Sequence, residues 1–523
     1  LWGDRDHIFS DISAPTTVNP SLWRQSRLNA IRGLFEVDDG VYQLRGFDLA
    51  NTTLIKSSSG WIVIDPMTTI ETTNASINFA ERHLGNINLA AVIITHSHVD
   101  HFGGVKAWLD HAADDSLPII APEGFLEEAT SENIIAGPAM ARRSAYMFGL
   151  DLETAIDGHV DSGLGKRVVS GSTSIAQPNV IINKPEVRLE IDGIDFTFFN
   201  MPNSEAPAEL TFYLPEQKIF CGAELISRTM HNILTPRGAK VRDAYLWSEY
   251  IGKTVERLSG VEIMLNSHHW PTWGNERILR QLEEQQDLYR FMHDQTVRLA
   301  NNGFTPREIA TQLNLPEDLA QKFHVRGYYG TLNHNVKAIY QHYFGWYDGN
   351  PAHLNELPKT YTSKRYIELM GGVPLVLAAA EKAVSDGDYR WAVELLNHIM
   401  FSGEQNSFAQ NLLAYSYMQM AYQAESGVWR DIYLSAAKEL RNGNNYSRDD
   451  IRLARDFIEK IPINDFLRSM TVSLNPKKAS RSNISINLYI IDKKQNFNLF
   501  TRNSVLYIKE NKIDESADAS IRV

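Results

Sequence analysis

Apolar residues between Phe35 and Trp273 alternate with polar ones or form short continuous runs, which predicts strands with interspersed helices. The runs 53–56 and 61–64 are joined by a Ser-Ser-Ser-Gly stretch and predict a hairpin. An amphipathic helix is predicted around 75–84, ahead of a strand at 92–95. Further strands are predicted at 41–44, 187–191, 195–199, 210–214, 219–221 and 262–266. Two sheets with helices outside them would accommodate this pattern, so the fold class of the first region is α/β.

The pattern becomes helical after Trp273, and one helix start is marked by its own residues. The stretch from Thr305 to Glu308 is a capping box, with a hydroxyl at the N-cap, proline at the first helical position and glutamate at the third. Segments 374–385, 389–401 and 406–424 then predict successive antiparallel helices joined by short turns. We therefore expect an all-helical domain here.

Strict alternation returns at 484–490, and the runs 497–500 and 505–508 predict two further strands. They indicate a small α+β domain, which we expect to be truncated because little core precedes Val523. The predicted domains are thus 1–299, 300–440 and 441–523.

Composition and charge exclude several classes of protein. A net charge of -12 argues against nucleic acid or an anionic membrane surface as the main partner. The longest apolar runs, such as 371–380, fall far short of the ~20 residues that span a bilayer, so no stable membrane insertion is expected. Cys221 is the only cysteine, which excludes an intramolecular disulfide framework and a cysteine-rich zinc module.

The strongest chemical signal is a cluster of metal-ligand residue types directly after an apolar strand. His96, His98, Asp100 and His101 share one sharp loop in the segment THSHVDH. Imidazoles and carboxylates suit zinc and similar ions, and two such ions about 3.5–4 Å apart can share a hydroxide nucleophile. If the side chains alternate in direction, His96 and His98 would bind one ion, and Asp100 with His101 would bind the other. The sequence therefore predicts a hydrolase with two metal ions.

Residues 95–104, THSHVDHFGG, resemble the signature of the metallo-β-lactamase superfamily. Several further stretches closely resemble the alkylsulfatases of that superfamily, which hydrolyse alkyl sulfate esters such as dodecyl sulfate. These stretches are SEAPAEL at 204–210, HNILTPRGAKVRDA at 231–244, NSHHWPTWGNERI at 266–278, RGYYGTLNHNVKAIY at 326–340 and WYDGNPAHL at 346–354. The resemblance implies an αββα sandwich, then a helical dimerisation domain and a sterol-carrier-like α+β domain.

The resemblance also implies a full ligand set for two zinc ions per chain. One ion would be held by His96, His98 and Glu205, where a glutamate stands in place of the commoner histidine. The other would be held by Asp100 and His101 together with His269, and Glu224 would bridge the two ions. His268 is the competing candidate for the ligand role of His269. Adjacent residues on a strand end point opposite ways, so one of the two is expected to be a ligand and the other not.

The substrate of such an enzyme is an anion, and it needs donors beyond the metal ions. Asn232, Arg237 and Arg242 match the family's sulfate-binding stretch, and arginine suits tetrahedral oxyanions. The implied reaction is hydrolysis of an alkyl sulfate ester to an alcohol and inorganic sulfate by a hydroxide bound to two metal ions. Attack at sulfur would expel an alkoxide, a poor leaving group, and His231 is the candidate acid that would protonate it.

Two alternative functions are compatible with parts of this sequence. One keeps the fold and the metals but hydrolyses a lactone, thioester, phosphodiester or β-lactam. The other is a lipid carrier, which the sterol-carrier-like segment favours but a complete set of metal ligands opposes. The resemblance further implies a homodimer, a role in detergent degradation and a periplasmic or secreted location.

Overall fold

The computed structural model describes residues 13–112, 116–443 and 462–523, with the backbone alone for 132–134. The predicted start of the third domain, at residue 441, adjoins residues 444–461, which lie outside the described part of the chain.

The first sheet of the described chain has seven strands in the order β1 to β7. Its early strands pair antiparallel, whereas β4, β5, β6 and β7 run parallel. Its strands are β1 (Gly33–Asp38), β2 (Val41–Arg45), β3 (Thr52–Lys56), β4 (Trp61–Ile64), β5 (Leu89–Ile93), β6 (Ile119–Pro122) and β7 (Val180–Ile182). The helices within and before this sheet are α1 (Pro20–Asn29), α2 (Ile70–Leu84), α3 (Val105–Leu109), α4 (Phe125–Ile134) and α5 (Gly137–Met147).

The second sheet has six strands within the described residues, in the order β13-β12-β11-β10-β9-β8. It is largely antiparallel, and β11 and β12 form its parallel pair. Its elements are β8 (Glu186–Ile191), β9 (Ile194–Asn200), β10 (Leu210–Leu214), β11 (Ile219–Cys221), α6 (Ala244–Arg257), β12 (Ile263–Leu265), β13 (Thr272–Trp273) and α7 (Asn275–Asn301).

The two sheets pack face to face and each carries helices on its outer side. Ile62 and Ile93 of the first sheet share one buried core with Phe196 and Phe212 of the second. A second core joins the first sheet to α2 and α3, and a third joins the other sheet to α6 and α7. The predicted αββα sandwich is confirmed. The nine predicted runs match strands to within three residues at either end, because an apolar run or a period of two marks a strand locally. The strands β1, β6, β7 and β13 were not predicted.

The helical region continues from α7 with eight further α-helices among the described residues. The Thr305 side chain accepts from the Glu308 N–H and the Glu308 side chain accepts from the Thr305 N–H, so the predicted capping box is present. The helices are α8 (Pro306–Gln312), α9 (Glu317–Ala320), α10 (Leu332–Phe344), α11 (Lys359–Leu369), α12 (Val373–Ser385), α13 (Tyr389–Ser402), α14 (Ser407–Gln423) and α15 (Gly427–Asn442). Of the helices described, none is long and apolar enough to cross a membrane.

The C-terminal segment forms a four-stranded sheet with two helices before it, as far as the structure describes it. Its elements are α16 (Ile463–Thr471), α17 (Pro476–Ala479), β14 (Ser485–Ile490), β15 (Gln495–Arg502), β16 (Val505–Glu510) and β17 (Ala519–Arg522). The strand order is β16-β15-β14-β17, with β17 parallel to β14. The predicted α+β character is thus confirmed.

Candidate metal centre

Chain connections at one edge of the sandwich bring the candidate ligands together. The loops after β5 and after β12 carry the predicted histidines, and the short loop after β11 carries Glu224. Because β4 and β5 are parallel, as are β11 and β12, their carboxyl ends lie at the same edges of their sheets. A bridge between His96 and Glu209 joins the two edges across the sandwich.

One group of ligand atoms comes from His96, His98, Glu205 and Glu224, whose donor atoms all lie within 4.8 Å of one another. His96 Nε2 lies 3.0 Å from Glu224 Oε2. His98 Nδ1 lies 3.0 Å from Glu205 Oε2. The structure thus brings together the three residues expected on the first ion and the carboxylate expected to bridge.

A second group of ligand atoms comes from Asp100, His101, Glu224 and His268, and these atoms also lie within 4.8 Å of one another. Glu224 belongs to both groups. His101 Nε2 lies 3.2 Å from Asp100 Oδ2 and 3.2 Å from Glu224 Oε2. His268 Nε2 lies 3.2 Å from Glu224 Oε1. Glu224 therefore occupies the shared position that the sequence expected for it.

The structure places His268, not His269, in this second group, which corrects the expectation for His269. The two rings do point in different directions, as expected for adjacent residues. His269 has a left-handed backbone with φ 64°, and its Nε2 faces the Gly163 carbonyl at 2.9 Å. The left-handed turn at His269 and the hydrogen bond from Asn51 Nδ2 to the His269 carbonyl fix the backbone here. As a result the His268 ring, not the His269 ring, faces the cluster.

Hydrogen bonds on the far side of each ring fix the tautomers of three histidines. His268 Nδ1 faces the Leu49 carbonyl at 3.1 Å, so this nitrogen carries the proton. His101 Nδ1 likewise faces the Asp65 carboxylate at 2.9 Å. The Thr95 hydroxyl donates to Asp65 and therefore accepts from His96 Nδ1. In the neutral tautomers, all three Nε2 lone pairs face the cluster.

Asp65, directly after β4, organises this side of the centre. Its carboxylate accepts from the Thr95 N–H, the Thr95 hydroxyl, the His101 ring and the Ser267 hydroxyl, all at 2.8–2.9 Å. Burial would raise its pKa, but the His101 ring holds the pKa of Asp65 below its ordinary value. Asp65 also has φ 58°, a left-handed backbone for a residue other than glycine. Its side chain supports the ligands from behind rather than lying among the inner donor atoms.

Glu209 ties the two carboxylate-bearing loops to each other. Its Oε2 accepts from the Glu205 N–H at 3.0 Å and the Ala206 N–H at 3.1 Å, and its Oε1 accepts from the Leu225 N–H at 2.6 Å. Leu225 follows Glu224 directly. Burial, and then the charge of Glu205, raise the pKa of Glu209 to about 8.

The predicted sulfate-binding residues separate into two groups in the structure. Arg242 is buried, donating to the Glu205 side chain and to the Asn232 side chain. Burial would raise the pKa of Glu205, but Arg242 holds it at about 2. Asn232 Nδ2 is a buried donor with no hydrogen-bond partner among the described residues. Arg237 Nη1 donates to the Gly238 carbonyl at 3.0 Å.

His231, the predicted acid, lies against the cluster. Its Nε2 is 3.0 Å from Glu224 Oε1 and 3.5 Å from Glu205 Oε1. Its Nδ1 faces the Asn232 carbonyl at 2.9 Å. Both ring nitrogens thus face acceptors of the protein, and the Nε2 contact fixes His231 and Glu224 relative to each other. The role of His231 as the acid stays a prediction.

The arrangement fits divalent metal ions. His96 Nε2, His101 Nε2 and His268 Nε2 are buried without a hydrogen bond of normal geometry, as is Glu205 Oε2. Buried polar atoms are nearly always satisfied, so four such atoms converging in one place indicate a ligand. Imidazole nitrogens and carboxylate oxygens are the donors that zinc takes, and the outward N–H bonds to Asp65, Thr95 and Leu49 are the usual support of metal-bound histidines.

Sequence reasoning missed the residues that act from behind the ligands. Asp65 stands alone after an apolar strand, and only that position at a strand end could have drawn notice. Glu209 lies within the SEAPAEL stretch, beside the glutamate that was singled out. Thr95 and Ser267 lie within the quoted stretches THSHVDHFGG and NSHHWPTWGNERI but were not singled out, and Leu49 carried no signal, because a hydroxyl or a backbone carbonyl is not rare enough to mark a site.

Family models match three consecutive parts of the chain. They are the metallo-β-lactamase superfamily at residues 45–268, alkyl sulfatase dimerisation at 305–443 and the alkyl sulfatase C-terminal region at 452–523.

Curated relatives match along the whole length. A linear primary-alkylsulfatase of Pseudomonas sp. is 42% identical over 97% of this chain and 76% of its own. An alkyl/aryl-sulfatase of Saccharomyces cerevisiae is 43% identical over 100% of this chain and 81% of its own.

A solved structure supports the same relationship. The stereoselective inverting sec-alkylsulfatase Pisa1 from Pseudomonas sp. superposes with a TM-score of 0.94 at 39% identity, covering 99% of this chain and 82% of that one. The fold, the three matched regions and the full-length relatives agree, and this chain belongs to the alkylsulfatases of the metallo-β-lactamase superfamily.

Proposed function

We propose that this protein hydrolyses alkyl sulfate esters to an alcohol and inorganic sulfate, using two divalent ions, most simply zinc, held by the clustered ligands. Glu224 would bridge them. Ions bound there would lower the pKa of water to supply a nucleophile at neutral pH and would stabilise developing negative charge. The residues of the chain hold these ions, orient the ester and keep the histidine tautomers fixed.

The observation that carries this function is Asn232 Nδ2, a buried donor without a partner beside the metal cluster. Arg242 fixes the other end of that amide through Oδ1, so the donor is held in place. Two dications would carry +4 against -3 from the carboxylates of Asp100, Glu205 and Glu224, a hydroxide nucleophile would bring that group to zero, and Arg242 adds one positive charge. A spare N–H beside a buried arginine suits a sulfate monoester better than a neutral lactone or thioester.

A buried apolar cluster adjoins the same place. Leu49, whose carbonyl supports His268, belongs to one buried cluster with Met147 and Tyr329. The ring of Tyr329 lies 4.8 Å from that of His231. A hydrocarbon chain leaving the sulfate site along this cluster would lose contact with water, which favours long alkyl esters. Release of sulfate from dodecyl sulfate by the purified chain tests this function.

We also propose a homodimer assembled through the helical region. Its surface exposes large apolar side chains, including Trp346 at 74%, Tyr361 at 63% and Leu369 at 82%. Exposed apolar area of this kind on a soluble domain marks an interaction surface. The match of residues 305–443 to the dimerisation model supports the same assembly. Light scattering at micromolar concentration should give the mass of two chains, and a single-chain mass would refute it.

A further inference from the structure

Arg45, at the end of β2, is a largely buried cation with no carboxylate partner among the residues that the structure describes. Its guanidinium carbon lies 3.6 Å from the centre of the Phe35 ring, so stacking covers one face of the planar group. Its Nε is buried and has no hydrogen-bond partner. Since a guanidinium donates in its own plane, stacking on Phe35 leaves the N–H edges available.

Arg228 adds a second cation with a spare donor close by. Its guanidinium stacks over the Trp270 ring at 5.1 Å, and its Nε is also buried without a partner. Its Nη1 donates to the carbonyls of Trp270 and Pro271. Burial, and then the charge of Arg45, lower the pKa of Arg228 to about 10.

A cavity of about 230 Å³ lies beside these groups, and Arg45 and Trp270 both line it. None of the clustered ligand residues lines it, although Leu49, whose carbonyl faces His268, does. One water needs roughly 10–15 Å³ of such space, so the cavity has room for a small polyatomic ion with several waters.

The acidic side chain that lines the cavity, Asp48, cannot neutralise Arg45. Its carboxylate already accepts from the N–H groups of Leu49 and Thr68 and from the hydroxyls of Thr68 and Thr72. Buried charges in proteins are normally paired, because an unpaired one carries a large desolvation cost. The uncompensated charge here is positive, in a chain whose net charge is -12.

We propose that this cavity binds a small tetrahedral oxyanion, of the sulfate or phosphate class, through the free N–H edges of Arg45. The guanidinium edge presents paired donors to such an ion. Arg228, which stacks on the cavity residue Trp270, adds a second positive charge nearby. Neither Asn232 nor Arg242, the expected sulfate-binding residues of the reaction site, lines this cavity.

Equilibrium dialysis of the full, metal-loaded chain against radiolabelled sulfate tests the proposal directly. Arg45→Gln should remove one bound sulfate per chain, or weaken that sulfate at least tenfold, and leave kcat on dodecyl sulfate unchanged. Arg82→Gln is the matched control, because Arg82 also stacks on a phenylalanine, Phe79 at 5.2 Å, but lies on α2 away from the cavity. Equal binding by wild type and Arg45→Gln would overturn the proposal.

Two further arms keep the result decisive. Arg45→Lys preserves the charge and the fold but removes the paired N–H edge, so it too should weaken sulfate binding. Competition with phosphate tests which anion the site binds. Displacement of the labelled sulfate assigns a site for both anions, and no displacement assigns a site for sulfate alone. In crystals soaked in selenate, an anomalous peak beside Arg45 supports the site, whereas ordered water alone there would overturn it. None of these binding measurements depends on hydrolysis of an alkyl sulfate. Failure of the proposed function and failure of the anion site would therefore be told apart.

Discussion

The Asp65 carboxylate accepts a hydrogen bond from His101 Nδ1 over 2.9 Å, and this contact determines which ring nitrogen of His101 faces the metal cluster. Asp65 directly follows β4, whereas His101 lies in the loop after β5, 36 residues later in the chain. It also accepts from Thr95, which in turn holds His96. One carboxylate therefore fixes the tautomers of a histidine in each ligand group.

Asp65→Asn should weaken metal retention while leaving the fold intact. An amide nitrogen in place of Oδ2 cannot accept from the His101 ring or from the Thr95 hydroxyl. The His101 ring, and the His96 ring that Thr95 holds, would both lose their fixed tautomer. Loss of such a supporting group lowers metal affinity about 10- to 100-fold. Competition of the purified variant with a coloured chelator measures this. Asp192→Asn is the control, since Asp192 also accepts several hydrogen bonds but from Ser57 and Ser59 in a surface loop. Unchanged metal affinity in Asp65→Asn would contradict the role assigned to Asp65.

The two predicted arginines should differ in their effect on the metals. Arg242→Ala leaves the buried Glu205 carboxylate without its partner, which typically costs about 3–5 kcal/mol, so both metal content and kcat/KM should fall. Arg237→Ala should reduce kcat/KM alone, because Arg237 is expected to bind the sulfate group and its contacts include the Gly238 carbonyl and the Met140 sulfur. Elemental analysis beside steady-state kinetics separates the two. Full metal content in Arg242→Ala would mean that its contact with Glu205 is dispensable.

How far the sequence could predict this molecule is shown by the two adjacent histidines. Adjacent residues were expected to point opposite ways along a strand, but His268 and His269 lie in the loop between β12 and β13. Which ring faces the metal ligands depends on the turn at His269 and on its contact with Gly163. Those depend on residues over 100 positions away. The ligands of the THSHVDH loop were predictable because they are local, as were the strands and the capping box. Asp65 and Glu209 were not, because their roles exist only once distant loops meet.

His231 should behave as a residue that orients Glu224 rather than as a proton donor. Hydrolysis by His231→Gln should then fall by similar factors for dodecyl sulfate and for 4-nitrophenyl sulfate, with metal content reduced in parallel. If His231 instead protonates a departing alkoxide, the loss would be large for the alkyl ester and small for the aryl ester, whose phenolate leaves without an acid. Ratios of kcat/KM for the two esters, in wild type and variant, give the answer.

Acid should destabilise the protein partly through His334 on α10. The Trp429 indole N–H donates to His334 Nδ1 over 3.0 Å, so the folded ring is neutral. Burial, followed by the charge of Lys337, lowers the pKa of His334 to about 3. The unfolded ring titrates near 6.5. The unfolded chain therefore binds the proton first, and stability present above pH 6.5 is lost as the pH falls towards 3, by up to about 1.4 kcal/mol per pH unit.

Melting curves between pH 7 and pH 4 check this contribution of His334. His334→Gln should flatten the fall in Tm relative to wild type. His83→Gln, at an exposed histidine on α2, should leave the slope unchanged. Parallel curves for His334→Gln and wild type would show that His334 does not titrate on unfolding.

The most direct test of the metal-dependent sulfatase is release of inorganic sulfate from dodecyl sulfate by the purified full chain, before and after chelation. We expect steady sulfate release by protein containing two divalent ions per chain, loss of release after dialysis against a chelator, and recovery when zinc is added back. Asp100→Asn, which removes a carboxylate from the second ligand group, should abolish the recovery. Sulfate release that persists in metal-free protein, or metal-loaded protein that releases none, would contradict this function.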